Sequence, residues 1–128
     1  MGGDEIKYVK DAFSTNWIAP VGPLISEFEE KLSAISSNSY VLALNSGTAA
    51  IHLALILLGV KRNDVVICPS FTFSATVNPI KYLGASPVFI DSEIQTWNMC
   101  PELLEYAIKE NINKNQKPKA IILAHIYG

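Results

Sequence analysis

The chain has 128 residues, of which 49% are hydrophobic and 17% are charged, and its formal net charge at pH 7 is −2. This length fits one domain, and the absence of clustered lysine or arginine argues against nucleic acid as the main partner. The sequence contains only two cysteines and no stretch typical of a secretory signal or a membrane span, so we expect a cytoplasmic protein, neither a disulfide scaffold nor a membrane protein.

The first predicted elements are two amphipathic helices. Within residues 1–17, apolar side chains recur at helical spacing beside lysine and aspartate. Residues 18–23 contain two prolines and a glycine, which predict an extended connection. Residues 24–35 again place an apolar face opposite charged side chains that face solvent. We therefore divide the chain into a helix with its connection, residues 1–23, and a larger α/β part, residues 24–128.

The segment 40–58 predicts a strand, a tight turn and a helix. Residues 41–44 form an apolar run short enough for a buried strand, and an alanine- and leucine-rich helical pattern follows Thr48. Gly47 permits a turn that a β-carbon would obstruct, and Ser46 or Thr48 can cap the helix. Free N–H groups and the positive end of the helix dipole then favour a phosphate or a carboxylate. Ordinary helix capping explains the same residues, so both interpretations stay open.

Strands and helices alternate through the rest of the chain. Strands are predicted at residues 65–68, 87–90 and 120–124. One helix is predicted to begin in the run 70–76 and to end at Gly84, and another is predicted over residues 101–112. This alternation implies a mainly parallel sheet with helices on both faces and right-handed crossovers. The predicted fold class is therefore α/β.

Several polar or aromatic segments follow the predicted strands directly. They are residues 45–48, residues 70–76, Asp91 and His125. Ligands of open α/β sheets bind beyond the carboxyl ends of the strands. We therefore expect these four segments to converge on one site.

Each candidate at this edge has a structural alternative. Phe73 is either a stacking platform for a flat heteroaromatic ligand or a core aromatic residue. His125 is either a proton carrier or a buried, hydrogen-bonded histidine, and Asp91 either orients a ligand or caps a turn. His52 and Cys68 are interpreted as structural residues, and the sequence contains no recognisable metal-binding cluster.

A series of motifs runs along essentially the whole chain. In order, they read GGDE, TNWIAPVGP, SEFEEKL, LALNSGTAAIHLAL, PSFTFSATVNPI, PVFID, TWNMCPELLEYAI and ILAHIYG. Together they resemble the N-terminal part of the DegT/DnrJ/EryC1/StrS family of sugar aminotransferases. The resemblance implies the N-terminal part of the large domain of a type I pyridoxal phosphate aminotransferase fold.

The resemblance also implies a set of site residues. The family turn that matches Ser46, Gly47 and Thr48 binds the phosphate of pyridoxal 5'-phosphate, mainly through backbone amides. The aromatic residue that matches Phe73 stacks on the pyridine ring. The segment that contains Asn16 and Trp17 lies near the substrate in the family, so these two residues are candidate substrate-binding residues.

An activity and partners follow from the same resemblance. It implies transamination of a keto group on a nucleotide-linked sugar in polysaccharide biosynthesis, with glutamate as the amino donor, by a homodimer that binds neither nucleic acid nor membranes. Within the family, the chain is most similar to enzymes that aminate UDP-4-keto-6-deoxy-N-acetylglucosamine on the way to bacillosamine-type sugars.

The family residues that complete the cofactor site lie beyond the segment that matches residues 125–128. They include the Schiff-base lysine, the acidic partner of the pyridinium nitrogen and a second phosphate-binding serine. We therefore expect the chain to be part of a longer enzyme and to be inactive alone. Two rivals remain: a sugar dehydratase, in which histidine replaces that lysine, and a non-catalytic protein of the same fold. A Rossmann-type enzyme is disfavoured because no Gly-x-Gly-x-x-Gly follows a predicted strand.

Overall fold

The computed structural model describes residues 2–37 and 40–126, and their backbone forms two compact units, Met1–Ala43 and Leu44–Gly128. The helices and strands in these residues are α1 (Glu5–Ser14), α2 (Pro23–Ile35), α3 (Gly47–Leu57), β1 (Val65–Pro69), a 3-10 turn (Ser74–Thr76), α4 (Asn78–Tyr82), β2 (Ser86–Ile90), α5 (Pro101–Asn113) and β3 (Ala120–Ile121).

The first unit contains the two predicted helices, α1 and α2, and neither helix has a buried residue. The connection between them folds back on the Trp17 ring. A β-carbon at Gly22 would lie 2.9 Å from Cε3 of Trp17, and the φ angle of Gly22 is +142°. Glycine has no β-carbon to contact the Trp17 ring, and it adopts a positive φ without strain. Gly22 therefore permits the turn that leads into α2.

The second unit is built on a three-stranded sheet with the order β2-β1-β3, in which both strand pairs are parallel. All five residues of the central strand β1 are buried. A continuous apolar run of this kind is typical of a parallel strand that helices cover on both faces. The predicted α/β class is confirmed by this arrangement.

Alternate residues of β1 enter two separate cores. One core joins β1 to α3 and α4, and the other joins β1 and β2 to α5. The buried residues of the first are Leu55, Val60, Val66, Cys68, Ile80 and Ala85, and those of the second are Ile67, Ile90, Met99 and Ala107. The helices therefore cover the two faces of the sheet.

The predicted strand at residues 41–44 is wrong. These residues have no regular secondary structure, and Leu42 is 65% exposed. A strand is defined by ladder hydrogen bonds to a neighbour. Among residues 2–37 and 40–126, no strand pairs with this run. Its backbone contact is instead with α2, because the Ala43 N–H donates to a carboxylate oxygen of Glu29 at 2.7 Å.

Two other predicted elements are shorter than expected. The helix predicted to begin in the run 70–76 and to end at Gly84 is divided into the 3-10 turn and the five-residue α4. The strand predicted at residues 120–124 is limited to β3, because only Ala120 and Ile121 are in register with β1. Both changes leave more irregular backbone near the carboxyl ends of the strands than the sequence pattern indicated.

Candidate functional site

The carboxyl ends of the three parallel strands lie at one edge of the sheet, and α3 begins near this edge. The chain leaves α3 at Leu57 and enters β1 at Val65 after a short turn, so α3 runs opposite to β1. At 11 residues, α3 is about as long as the five-residue strand, roughly 16 Å. In addition, α3 packs against the 3-10 turn that follows β1.

Ser46 caps the beginning of α3. Its backbone is extended, with φ −164° and ψ 157°, and its side-chain oxygen accepts a hydrogen bond from the Ala49 N–H at 3.2 Å. The Ser46 carbonyl accepts the next one, from Ala50, at 3.1 Å. Within the described part of the chain, the N–H groups of Gly47 and Thr48 have no acceptor. Two donors at the positive end of a helix are therefore available to an anion.

Gly47 is not required by the backbone, which corrects the sequence-based expectation. Its φ angle lies outside the left-handed region, and a β-carbon built on it would have no atom within 4 Å. In a helix the β-carbon tilts toward the N-terminus, so it would enter the space in front of the free N–H groups. The glycine therefore keeps open the space that an anion would occupy.

Phe73 is exposed, so its interpretation as a core aromatic residue is wrong. Its surface is 77% exposed, and it precedes the 3-10 turn with an extended backbone, φ −70° and ψ 143°. The carbonyl of Phe73 accepts a hydrogen bond from the Thr76 N–H at 3.0 Å. The ring is thus available to stack on a flat ligand at the same edge of the sheet.

The residues between β1 and Phe73 contact the loop that follows β2. The Ser70 hydroxyl donates to Oδ1 of Asp91 at 3.4 Å, and the Ser92 N–H donates to the same oxygen at 2.8 Å. The bond to Ser92 ties the Asp91 carboxylate to the backbone of its own loop. The Phe71 and Trp97 rings lie 5.8 Å apart in a tilted arrangement. Sequence reasoning missed this aromatic pair, because no local pattern connects the two positions.

The other titratable candidates have different surroundings. His52 packs edge-on against the Tyr82 ring, 5.5 Å away, as expected of a structural residue. His125 is exposed, so the interpretation as a buried histidine is wrong. Cys68 is fully buried in β1, and this burial raises the pKa of its thiol to about 11. A protonated, buried thiol of this kind is not a nucleophile.

Asn16 and Trp17 belong to the first unit and follow the end of α1. Asn16 has a positive φ of 59°, and the Trp17 N–H donates to the Ala12 carbonyl at 3.0 Å. The Trp17 ring lines an apolar cleft of about 440 Å³ together with residues of α1 and the connection. The ring is half exposed, so it presents an aromatic surface next to an amide side chain.

The arrangement at the strand ends fits a ligand with an anionic group and a flat ring. Backbone donors at α3 suit the anion, and Phe73 offers the ring face. Among residues 2–37 and 40–126, no group of three or more potential ligands is placed to hold a metal ion. No helix in the same residues combines the length and the apolar character needed to cross a bilayer.

Comparison with known protein families gives one match along the whole chain. The DegT/DnrJ/EryC1/StrS aminotransferase family matches residues 1–128. EpsN of Bacillus subtilis (strain 168), which is named as a pyridoxal phosphate-dependent aminotransferase, is 54% identical over 128 residues, which are 100% of this chain and 33% of EpsN. GDP-perosamine synthase of Escherichia coli O157:H7 is 40% identical over 98% of this chain and 33% of its own length. The chain thus spans about a third of the curated relatives it matches.

Solved structures show the same fold. A DegT DnrJ EryC1 StrS aminotransferase from Brucella abortus has a TM-score of 0.85 at 35% identity, over 94% of this chain and 32% of that one. The PMP form of Spr1654 from Streptococcus pneumoniae, which is named as a sugar aminotransferase, has a TM-score of 0.82 at 35% identity, over 98% and 30% of the two chains. The predicted aminotransferase fold is confirmed by these similarities.

Proposed function

The chain belongs to the DegT/DnrJ/EryC1/StrS aminotransferase family, and from this premise we propose that it forms part of a pyridoxal phosphate-dependent sugar aminotransferase. The enzyme transfers an amino group, with glutamate as donor, to a keto group on a nucleotide-linked sugar. The names of EpsN and GDP-perosamine synthase support the cofactor and the class of substrate. Two observations support the proposal: the free N–H groups at the start of α3, and the exposed Phe73 ring in the segment that follows β1.

Pyridoxal phosphate supplies the electron sink of the reaction when it is bound. In this proposal the N–H groups of Gly47 and Thr48 bind its phosphate, and Ser46 keeps the first turn of α3 in the conformation that exposes them. Phe73 lies against one face of the pyridine ring and limits its rotation. The chain therefore binds and orients the cofactor at two separated points, which is how a protein scaffold controls cofactor chemistry.

Two residues of the first unit carry groups that suit a sugar. Asn16 offers an amide that suits sugar hydroxyl groups, and Trp17 offers a half-exposed ring beside an apolar cleft. We assign both residues to the wall of the sugar site. The specific substrate in this proposal is UDP-4-keto-6-deoxy-N-acetylglucosamine. An amination assay with UDP-linked and GDP-linked 4-keto sugars and glutamate distinguishes this choice from the wider class.

We propose a cytoplasmic homodimer that acts in polysaccharide biosynthesis, in which residues 1–23 form an N-terminal helix and connection and residues 24–128 contribute to the cofactor-binding domain. Both cysteines are free thiols, and one of them is buried, which supports a reducing compartment. Sedimentation of the full-length protein tests the dimer.

Replacing Phe73 with alanine tests the proposed cofactor site in the full-length protein. The loss of a stacked ring face costs about 1 to 3 kcal/mol. Pyridoxal phosphate should therefore bind about tenfold or more weakly, since about 1.4 kcal/mol is a factor of ten. Pyridoxal, which lacks the phosphate, should lose affinity by a similar factor. Fluorescence titration with both ligands measures these losses.

Phe28→Ala is the matched control, because Phe28 is also exposed, at 53%, but lies in α2 of the first unit. It should leave both affinities unchanged. Equal affinity of wild type and Phe73→Ala for pyridoxal phosphate would contradict the proposed cofactor site.

A further inference from the structure

Three consecutive side chains before Phe73 are each tied to another part of the second unit. Ser70 is bonded to Asp91, the Phe71 ring packs on Trp97, and Thr72 is bonded to Thr76. Phe73 is the next residue, and its ring projects outward with 77% of its surface exposed. The segment therefore combines a constrained backbone with one free side chain.

A hydrogen bond joins the side chains of Thr72 and Thr76, and Phe73 lies between these two residues in sequence. Their hydroxyl oxygens are 2.8 Å apart. Thr76 is only 7% exposed, and its N–H donates to the Phe73 carbonyl at 3.0 Å. A buried hydroxyl that loses its partner is costly, so Thr76 strongly favours the backbone conformation in which Thr72 reaches it.

We propose that Thr72 and Thr76 are positioning residues for Phe73. Their hydroxyl bond holds the extended backbone of Phe73, so that the ring is oriented before a flat ligand arrives. This inference rests on the proposed function, in which that ligand is pyridoxal phosphate. An exposed ring would otherwise lose conformational freedom on binding, and preorganisation removes part of that cost.

The test uses valine and serine variants of the full-length protein. Thr76→Val and Thr72→Val each keep the shape of the side chain and remove the bond from one end. Each should weaken the binding of pyridoxal phosphate and of pyridoxal by about two- to tenfold, the range expected for one net hydrogen bond. Thr76→Ser retains the hydroxyl and should bind within about twofold of wild type.

A double-mutant cycle with Phe73→Ala separates positioning from a general loss of stability. If the threonines act through the ring, Thr76→Val should cause no further loss of affinity in the Phe73→Ala background. The same loss in both backgrounds would overturn the inference, because the threonine would then act independently of Phe73. Failure of both valine variants to fold would also overturn it, because the pair would then be a requirement of folding.

The cycle also distinguishes this inference from the proposed function. If wild type binds pyridoxal phosphate and Phe73→Ala weakens it, while both valine variants bind like wild type, only the positioning role is overturned. If wild type does not bind, or Phe73→Ala changes nothing, the proposed cofactor site is contradicted and the positioning role is overturned with it. Wild-type binding, weaker valine variants, serine rescue and a non-additive cycle support both.

Discussion

Phe73 exposes most of its ring, although aromatic residues more often bury most of their surface. The exposed ring follows a strand end, and its backbone is held by the bond between Thr76 and the Phe73 carbonyl. An apolar ring in water costs free energy that a bound flat ligand would recover. Gly47 leaves open a space at the start of α3 that the side chain of any other residue would partly fill. Both positions therefore leave room for the proposed cofactor.

Gly47→Ala separates a role in ligand binding from a role in folding. Because Gly47 has no positive φ and no neighbour near its β-carbon position, alanine should fit and should stabilise the protein by up to about 1 kcal/mol. Its methyl group would nevertheless lie in front of the free N–H groups. We expect the variant to lose most of the extra affinity that the phosphate gives pyridoxal phosphate over pyridoxal. Thermal unfolding and titration with both ligands measure the two effects.

Pyridoxal is the internal control for this variant, because its binding should hardly change. Equal losses of affinity for pyridoxal and pyridoxal phosphate would show that the turn does not bind the phosphate. A marked fall in the unfolding temperature would show instead that the glycine is needed by the fold.

Cys68 gives a prediction of pH dependence. Burial raises the pKa of its thiol from the ordinary value of 9.0 to about 11. The folded protein therefore holds this proton more tightly than the unfolded chain does. Its stabilising contribution is fully present below about pH 9 and is lost as the pH rises from about 9 to about 11. Urea unfolding between about pH 8 and about pH 11 should show a decrease in wild type that is smaller in Cys68→Ala.

Cys100→Ala is the matched control for Cys68→Ala, because Cys100 is a free cysteine that is only half buried. Its stability should follow the wild-type pH curve. Cys68→Ala should also be less stable at every pH, because it leaves a cavity in the core. If the curves of Cys68→Ala and wild type stay parallel up to about pH 11, the thiol does not contribute to the loss.

At the scale of elements, local signals predicted the helices well. Apolar residues and end signals that lie within or next to each helix predicted α1, α2, α3 and α5. Ser46, for example, was predicted as a cap of α3, and its side chain caps α3 in the structure. The predicted strand at residues 41–44 is different, because an apolar run becomes a strand only when a second strand lies beside it. That information is absent from the run itself.

The division of the helix predicted after β1 also has a local cause. Pro79 lies in the first turn of α4 and has no N–H to donate to a preceding turn. A continuous helix from the run 70–76 is therefore interrupted before Pro79. Pro79 could have predicted this boundary. The consequence for the candidate site is a short 3-10 turn, in place of a continuous helix, after the segment that contains Phe73.

The candidate site was predictable to the extent that its chemistry is local. The helix start at Ser46 is visible in the sequence, whereas the choice between a stacking role and a core role for Phe73 depended on a family resemblance. The contacts of Ser70 with Asp91 and of Phe71 with Trp97 join residues more than twenty positions apart. Pairs of this kind depend on the register of β1 and β2, which single-sequence patterns do not specify.

At the scale of the whole molecule, the two units differ in how they are stabilised. All buried core residues in the described part of the chain, from Leu55 to Ala107, belong to the second unit. The helices of the first unit, with 10 and 13 residues, contain none. Helices of this length are marginal in water without tertiary packing. The free energy of local opening should therefore be much smaller in α1 and α2 than in β1.

Hydrogen exchange on the 128-residue chain tests this difference directly. Amides of α1 and α2 should exchange close to the rate of an unstructured peptide, because they open locally without breaking a core. Amides of β1 should exchange slowest, because this strand is buried at all five positions and pairs on both sides. Low concentrations of urea should lower the protection of the β1 amides in step with global unfolding. The exchange rates of the α1 and α2 amides should change little. Mass spectrometry of peptides that cover α1, α2 and β1 measures the three rates together. Equal protection of α1 and β1 would contradict this account, because α1 would then open only when the whole chain unfolds.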